Sequence, residues 1–348
     1  MRFGEGSKVL VVLPTSIGDA VCAIPLLESL FKGGWVVHTV LDTRLAGLAL
    51  TYSPYIQYEH LVPVKRWRSI SPLRDLKGRL SFIARVRWNT YDAMISVGDG
   101  SLGAWIAWAA RIPVSVTQDS YHKIHLKRWA QRCIYTHHVP VPRAHGIVQN
   151  CELGRPLGVI PVPPSFSRRD LVATAATRPP IFVIGPDASQ AGRSIPLIET
   201  VLIVKRLKAA HPESEVVLAG PVGGIAEQAA QVCDVSRATI GASLAAVVRT
   251  IAEARCVIAT DSGLGHIAAA CDTPVVSIFG PGDPATAVPW IDPRKLAVIR
   301  NERPCQPCRE NGCHGSGVAD CLNGLPIDKI MEAAYRLSRF TVPLTAPD

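Results

Sequence analysis

The chain has 348 residues, 48% of them apolar, which is enough to bury two hydrophobic cores and makes two domains the default expectation. Its formal net charge of +9 is uneven: residues 1–170 hold 21 Lys/Arg against 11 Asp/Glu, and the remainder holds 16 against 17. The basic half calls for an anionic partner, while the lack of a long apolar segment, an internal repeat or a low-complexity tract excludes a bilayer-spanning protein and a repeat array.

In chain order, Lys8-Val-Leu-Val-Val-Leu13 reads as a buried strand. The run is short and soon followed by Asp19, so it suits a core strand better than a signal peptide. The turn Pro14-Thr-Ser-Ile-Gly-Asp19 comes next, and then an apolar helical stretch over residues 20–31, which Pro25 is predicted to kink or shorten. Asp19 therefore falls at a strand-to-helix turn, where the helix dipole keeps a carboxylate ionised. It reads either as a helix cap or as a group aimed into a cleft. Residues 36–41, 92–97 and 113–116 are further strand candidates.

Between them a basic run opens with Lys65, Arg66, Trp67 and Arg68 and extends to Arg85-Val-Arg-Trp88. Aromatic residues interleaved with cations suit a membrane surface or a nucleic-acid groove, and equally a solvated helix face with core aromatics. No helix-turn-helix or RNA-binding motif accompanies the run, so nucleic acid is not the expected partner. Residues 102–112 are apolar but too short to span a bilayer, and Arg111 interrupts them. The Pro-rich stretch 155–164, continued loosely to Pro179-Pro180, reads as an interdomain connector.

The second half opens with Ile181-Phe-Val-Ile184 as a strand. A helix is predicted after it, with Ser194 as N-cap and Pro196 in the first turn, running to about His211. A strand over 215–219 and a helix begun by Ser243 follow. Then Cys256-Val-Ile-Ala-Thr260 and Pro274-Val-Val-Ser-Ile-Phe279 read as parallel strands around Asp261-Ser-Gly-Leu-Gly-His266, with a short helix predicted from His266 to Asp272. That turn lies at the carboxyl end of a strand and the amino end of a helix, where free N–H groups favour an anion. Asp261 beside a phosphate points to sugar hydroxyls as well. Residues 327–337 form an amphipathic helix, expected to pack back on the first domain. Alternating strands and helices call for parallel sheets. The domains are set at 1–165, 180–325, and 326–348 for the terminal helix and tail.

Cys305, Cys308, Cys313 and Cys321 have the spacing C-x2-C-x4-C-x7-C, which can surround one tetrahedral ion, with His314 as a substitute ligand. The other reading is an unmetallated loop of reactive thiols. In a reducing cytoplasm persistent disulfides are not expected.

Taken together, Ser16-Ile-Gly-Asp19 with Pro25-Leu-Leu, His145 through Gly158, Gly185 to Pro196, Asp261-Ser-Gly-Leu-Gly-His266 and Phe279-Gly-Pro-Gly-Asp-Pro284 resemble glycosyltransferase family 9, which contains the lipopolysaccharide heptosyltransferases. The resemblance covers nearly the whole chain. It implies a GT-B type α/β fold of two facing Rossmann-like domains, an acceptor-binding first and a nucleotide-sugar-binding second. It also implies inverting transfer from ADP-heptose without a catalytic metal, to an anionic acceptor such as lipopolysaccharide inner core. Asp19 is then the candidate base. The donor residues are Ser189, Arg193 (where relatives commonly have Lys), Asp261, Ser262, Gly263, Leu264, Gly265 and His266. Lys65, Arg66 and Arg68 are the acceptor-binding candidates. Some heptosyltransferase-like sequences carry a similar cysteine cluster, which favours a structural Zn or Fe there. The expected location is the cytoplasm, peripheral on the inner membrane. Two alternatives stay open: a protein O-heptosyltransferase, and a non-catalytic nucleotide-binding scaffold.

Overall fold

The computed structural model describes residues 3–48, 54–69, 75–98, 101–119, 133–140, 144–160, 181–235 and 237–339. The chain divides into two units, Met1–Ser165 and Phe166–Asp348.

In the first unit, β1 (Lys8–Val12) leads through α1 (Ile17–Val21) and α2 (Ile24–Lys32) to β2 (Val36–Asp42) and β3 (Tyr58–Val62). Next come α3 (Val64–Ser69), α4 (Leu76–Asn89), β4 (Ala93–Ser96), α5 (Ser101–Ala110), β5 (Val114–Asp119), β6 (His137–Pro140) and α6 (Gly146–Glu152). The strands form one parallel sheet in the order β3-β2-β1-β4-β5-β6. Its inner strands are buried over most of their length, as in a parallel sheet with helices on both faces. The core on one face gathers Leu10, Phe82, Met94 and Ile106.

The second unit runs β7 (Ile181–Gly185), α7 (Leu197–Ala210), β8 (Glu215–Leu218), α8 (Ile225–Cys233), β9 (Arg237–Ala238) and α9 (Leu244–Glu253). It continues with β10 (Cys256–Thr260), α10 (Gly263–Ala270), β11 (Val275–Phe279), α11 (Pro284–Ala287), β12 (Leu296–Arg300) and α12 (Ile327–Ser338). The sheet order β12-β11-β10-β7-β8-β9 is the first sheet's winding repeated. Each sheet therefore has a topological switch point beside its first strand, between β1 and β4 and between β7 and β10. At such a point the loops leave in opposite directions and open a crevice.

The stretch over residues 20–31 is interrupted before Pro25, as expected: α1 ends at Val21, and Pro25 occupies the first turn of α2, where its missing N–H costs nothing. Other local expectations are corrected. Ser194 is extended and does not cap α7, because its Oγ accepts the Ala188 N–H at 3.0 Å. The helix expected from His266 begins at Gly263. The terminal helix α12 buries Ile330, Ala333, Ala334 and Leu337 in the second core with Phe182 and Ile258. The tail from residue 340 lies outside the described residues.

Candidate active site

Asp19 sits in the turn after β1, at the switch point of the first sheet. Ser16 holds that turn: its Oγ accepts the Asp19 N–H at 3.3 Å and lies 2.5 Å from Asp19 Oδ2, to which it donates. Ser16 is thus the N-cap of α1, and Asp19, in its first turn, is exposed on a cavity of about 380 Å³. The walls come from the ends of β1, β4 and β5 and from α6, and the polar lining includes Ser16, Ser96, Gln118, Gln149 and Asn150. These groups are held in place: the Gln118 amide donates to Gln149 Oε1 at 3.2 Å, Gln149 donates to the Ala144 carbonyl at 2.8 Å, and Asn150 donates to the Cys22 carbonyl at 3.0 Å. Burial pushes the Cys22 thiol up to about 12, with the Asp19 charge adding to it, so Cys22 is no nucleophile here. Ser96 Oγ is buried with no hydrogen-bond partner.

Of the predicted acceptor residues, Arg66 is exposed on α3, whose first residue, Val64, lines the cavity. The side chains of Lys65 and Arg68, on the same helix, lie outside the described residues.

In the second unit the donor residues fall on two loops at the β7/β10 switch point. Arg193 ends the 3-10 turn Ala191–Arg193 in the loop after β7. Its carbonyl accepts the Thr260 hydroxyl, and its guanidinium lies 3.4 Å from Asp261 Oδ2. Asp261 is buried directly after β10, and a Cβ on Gly282 would come within 2.2 Å of its Oδ2, so only glycine leaves it room. Ser262 is the N-cap of α10, but its hydroxyl makes no capping bond and is buried without a partner. Gly263, Leu264, Gly265 and His266 form the first turn of that helix. Leu264 packs on Gly185, where a Cβ would meet its Cδ2 at 2.6 Å. His266 is buried within α10, and Ser189 stands exposed on the Arg193 loop.

The helix ends explain which of them can take an external anion. The Asp187 carboxylate accepts the Ile225 and Ala226 amides at 2.8 and 3.0 Å and fills the amino end of α8. Ser243 caps α9 and Asp283 caps α11. The amino ends of α7, α10 and α12 have no side-chain cap, and of these α10 follows directly on Asp261, which pairs with Arg193, with its N–H groups and dipole available there.

The cysteine segment carries the four predicted metal ligands, Cys305, Cys308, Cys313 and Cys321. Among the described residues no group of three or more His, Cys, Asp or Glu side chains is arranged to hold a metal ion. Cys305 is exposed, whereas Cys321 is buried in the second core, which raises its thiol pKa. Cys308 and Cys313 stand near enough to Cys321 to add to that rise, and the segment is also secured by hydrogen bonds. Asn311 Oδ1 accepts the Gly192 N–H at 3.0 Å, the Arg309 N–H donates to the Pro281 carbonyl at 2.8 Å, and Gln306 donates to the Gly280 carbonyl at 2.7 Å. Arg309 also pairs with Asp283 at 2.7 Å and, through that hydrogen bond, holds its carboxyl below the usual range. The segment is a strap joining the loop after β7 to the loop after β11. Asn311, Arg309 and Asp187 were not picked out by sequence reading, and Ser194 only as a helix cap. Asn311 and Gly192 are 119 residues apart, and nothing in their local patterns joins them.

A sequence profile of glycosyltransferase family 9 (heptosyltransferase) matches residues 79–318. The chain belongs to this family. It is a glycosyltransferase with the GT-B type α/β fold. Lipopolysaccharide heptosyltransferase 1 of Pseudomonas aeruginosa is 26% identical to this family 9 chain over 327 residues, covering 88% of it and 87% of the relative. Among solved structures, E. coli heptosyltransferase WaaC with ADP superposes with a TM-score of 0.74 at 19% identity, covering 95% of this chain and 99% of that one. The same E. coli protein with ADP-2-deoxy-2-fluoro heptose gives a TM-score of 0.70 at 18% identity, covering 93% and 98%. No helix among the described residues is long and apolar enough to cross a membrane.

Proposed function

We propose that this family 9 glycosyltransferase moves a heptose from ADP-heptose to a hydroxyl of an anionic glycolipid, of the lipopolysaccharide inner-core kind. The observation that carries the reading is the uncapped amino end of α10 beside the Arg193–Asp261 pair. Two buried hydroxyl and carboxylate groups there, on Ser262 and Asp261, stand next to a cation. That set suits a sugar diphosphate: amides and guanidinium for the phosphates, carboxylate for hydroxyls. The ligands named for WaaC, ADP and a fluorinated ADP-heptose, support the choice of nucleotide and sugar.

In the proposed reaction the acceptor oxygen attacks the anomeric carbon as the bond from that carbon to the diphosphate oxygen breaks. ADP leaves with the bonding electrons, and the configuration inverts. Charge grows on the leaving oxygen, where the α10 amides and Arg193 stabilise it more than in the ground state. Asp19 takes the hydroxyl proton. An exposed carboxylate is a weak base at neutral pH, so its proton transfer comes late, as the acceptor oxygen becomes acidic on bonding. Ser16 keeps the carboxylate turned to the cavity, and Gln118, Gln149 and Asn150 offer hydrogen bonds to the acceptor's hydroxyls.

Asp19→Ala is expected to abolish transfer while leaving ADP affinity unchanged, measured by product mass spectrometry and calorimetry. Turnover at the parent rate would remove Asp19 from the chemistry.

A further inference from the structure

The face of the first unit formed by α4 and α5 has a composition the reaction does not use. Leu76, Leu80, Ala84 and Trp88 recur every fourth residue along α4, so they share a side of the helix. All four are exposed, while Phe82, Ile83 and Val86 on the other side fill the core. Trp88 is 88% exposed, and Trp108, at the end of α5, is 69% exposed. The two helices pack together, and Arg87 Nε donates to the Ala109 carbonyl at 2.9 Å. That bond joins the residue before Trp88 to the residue after Trp108, so both indoles stand at the same end of the helix pair.

The charge around them is of one sign. Lys77, Arg85, Arg87 and Arg111 are exposed on or beside these helices, and neither helix contains an Asp or Glu. The acids that flank α4 are engaged: Asp75 accepts the Trp67 indole N–H at 2.7 Å and Asp92 accepts the Lys8 N–H at 2.8 Å. Indole belongs at a boundary between water and hydrocarbon, where its ring is apolar and its N–H stays solvated. Cations without acids add attraction for anionic headgroups.

We infer that this α4–α5 face docks the enzyme on an anionic lipid surface, with Trp88 and Trp108 entering the headgroup layer. A shallow surface with ungrouped cations suits a layer of headgroups better than one charged peptide. The inference rests on the reading of the acceptor as a glycolipid, and it adds the surface through which the enzyme reaches it.

The test is sedimentation of the full chain with vesicles of phosphatidylcholine alone or mixed with phosphatidylglycerol, together with tryptophan emission. The parent chain should bind only the anionic vesicles, with a blue shift in emission and release at high salt. Trp88→Ala with Trp108→Ala, and separately Lys77→Glu with Arg85→Glu, should each lower vesicle partition by about 10-fold or more, as expected for interfacial anchors and basic clusters. Both variants should keep the parent melting temperature, and their transfer to a detergent-free, delipidated acceptor should be unchanged. Equal partition of parent and variants, or absence of the parent from anionic vesicles, would overturn the inference. Concentration-dependent dimerisation lost in the same variants would overturn it too, by assigning the face to a second copy. A protein that binds vesicles but transfers no sugar would refute the transfer reading and leave this surface standing.

Discussion

Arg193 holds a full positive charge beside the buried carboxylate of Asp261. A diphosphate offers that guanidinium a second anionic partner, in a setting with little water to screen it. Arg193→Ala is therefore expected to weaken ADP binding roughly 10- to 100-fold, the range of one charge-assisted hydrogen bond. Calorimetry checks this, and an unchanged Kd would take Arg193 out of the donor site. A second residue-scale consequence lies in the first core. Tyr91 Oη bridges His38 Nδ1 at 2.9 Å and His60 Nε2 at 2.8 Å, and all three side chains are buried. Burial lowers the His60 pKa to about 4 and lowers that of His38 as well. The unfolded chain takes up these protons near pH 6.5 and the folded chain does not. Stability is thus full above about pH 6.5 and falls as pH drops towards about 4, by up to roughly 3 kcal/mol for His60. Thermal melts across that window should show the decline, and His60→Gln should flatten it. A parent melting temperature independent of pH would contradict the assignment.

The strap carries the main prediction for the elements. A Cβ on Gly192 would fall 2.1 Å from the Gly312 amide nitrogen, so the donor loop and the strap meet backbone to backbone. Asn311 Oδ1 fixes that contact through the Gly192 N–H, one residue before Arg193. Asn311→Ala should raise the Kd for ADP about 5-fold, the loss of roughly one neutral hydrogen bond, with kcat at saturating donor nearly unchanged. Asn311→Asp keeps an acceptor oxygen and should restore affinity; equal affinity in all three proteins would show that the strap is only scaffolding. The same region shows what could be read from sequence. β1, β7, β10 and β11 are β-branched runs bounded by turn residues, and their pattern places Asp19 and Asp261 in the turns that follow strands, whereas Arg193 is reached through the family resemblance. β6, His-His-Val-Pro, has no such pattern, and pairing with β5 makes it a strand. Ser194 looked like a cap because its type suits one, but the Ala188 amide competes for its oxygen. The cysteine spacing does not show that Cys321 is drawn into the core beside Leu322 while Cys305 is exposed. These outcomes depend on contacts distant in sequence, which no local window contains.

For the whole molecule, the charge imbalance assigns different salt responses to the two substrates. The first 170 residues hold the excess of Lys and Arg, and the remainder is nearly neutral. Acceptor KM should therefore climb steeply with ionic strength while the Kd for ADP changes less, because exposed charges more than a Debye length apart are screened first. Salt-independent acceptor KM would contradict an anionic acceptor. The most direct test of the central claim is transfer itself: the full chain is incubated with ADP-heptose and a heptose-free inner-core glycolipid, and the acceptor is weighed by mass spectrometry. The account predicts the addition of one heptose, release of one ADP per acceptor, and no product from Asp19→Ala despite parent-like ADP binding. Product at the parent rate from Asp19→Ala, or no heptose added by a parent protein that binds ADP, would contradict it.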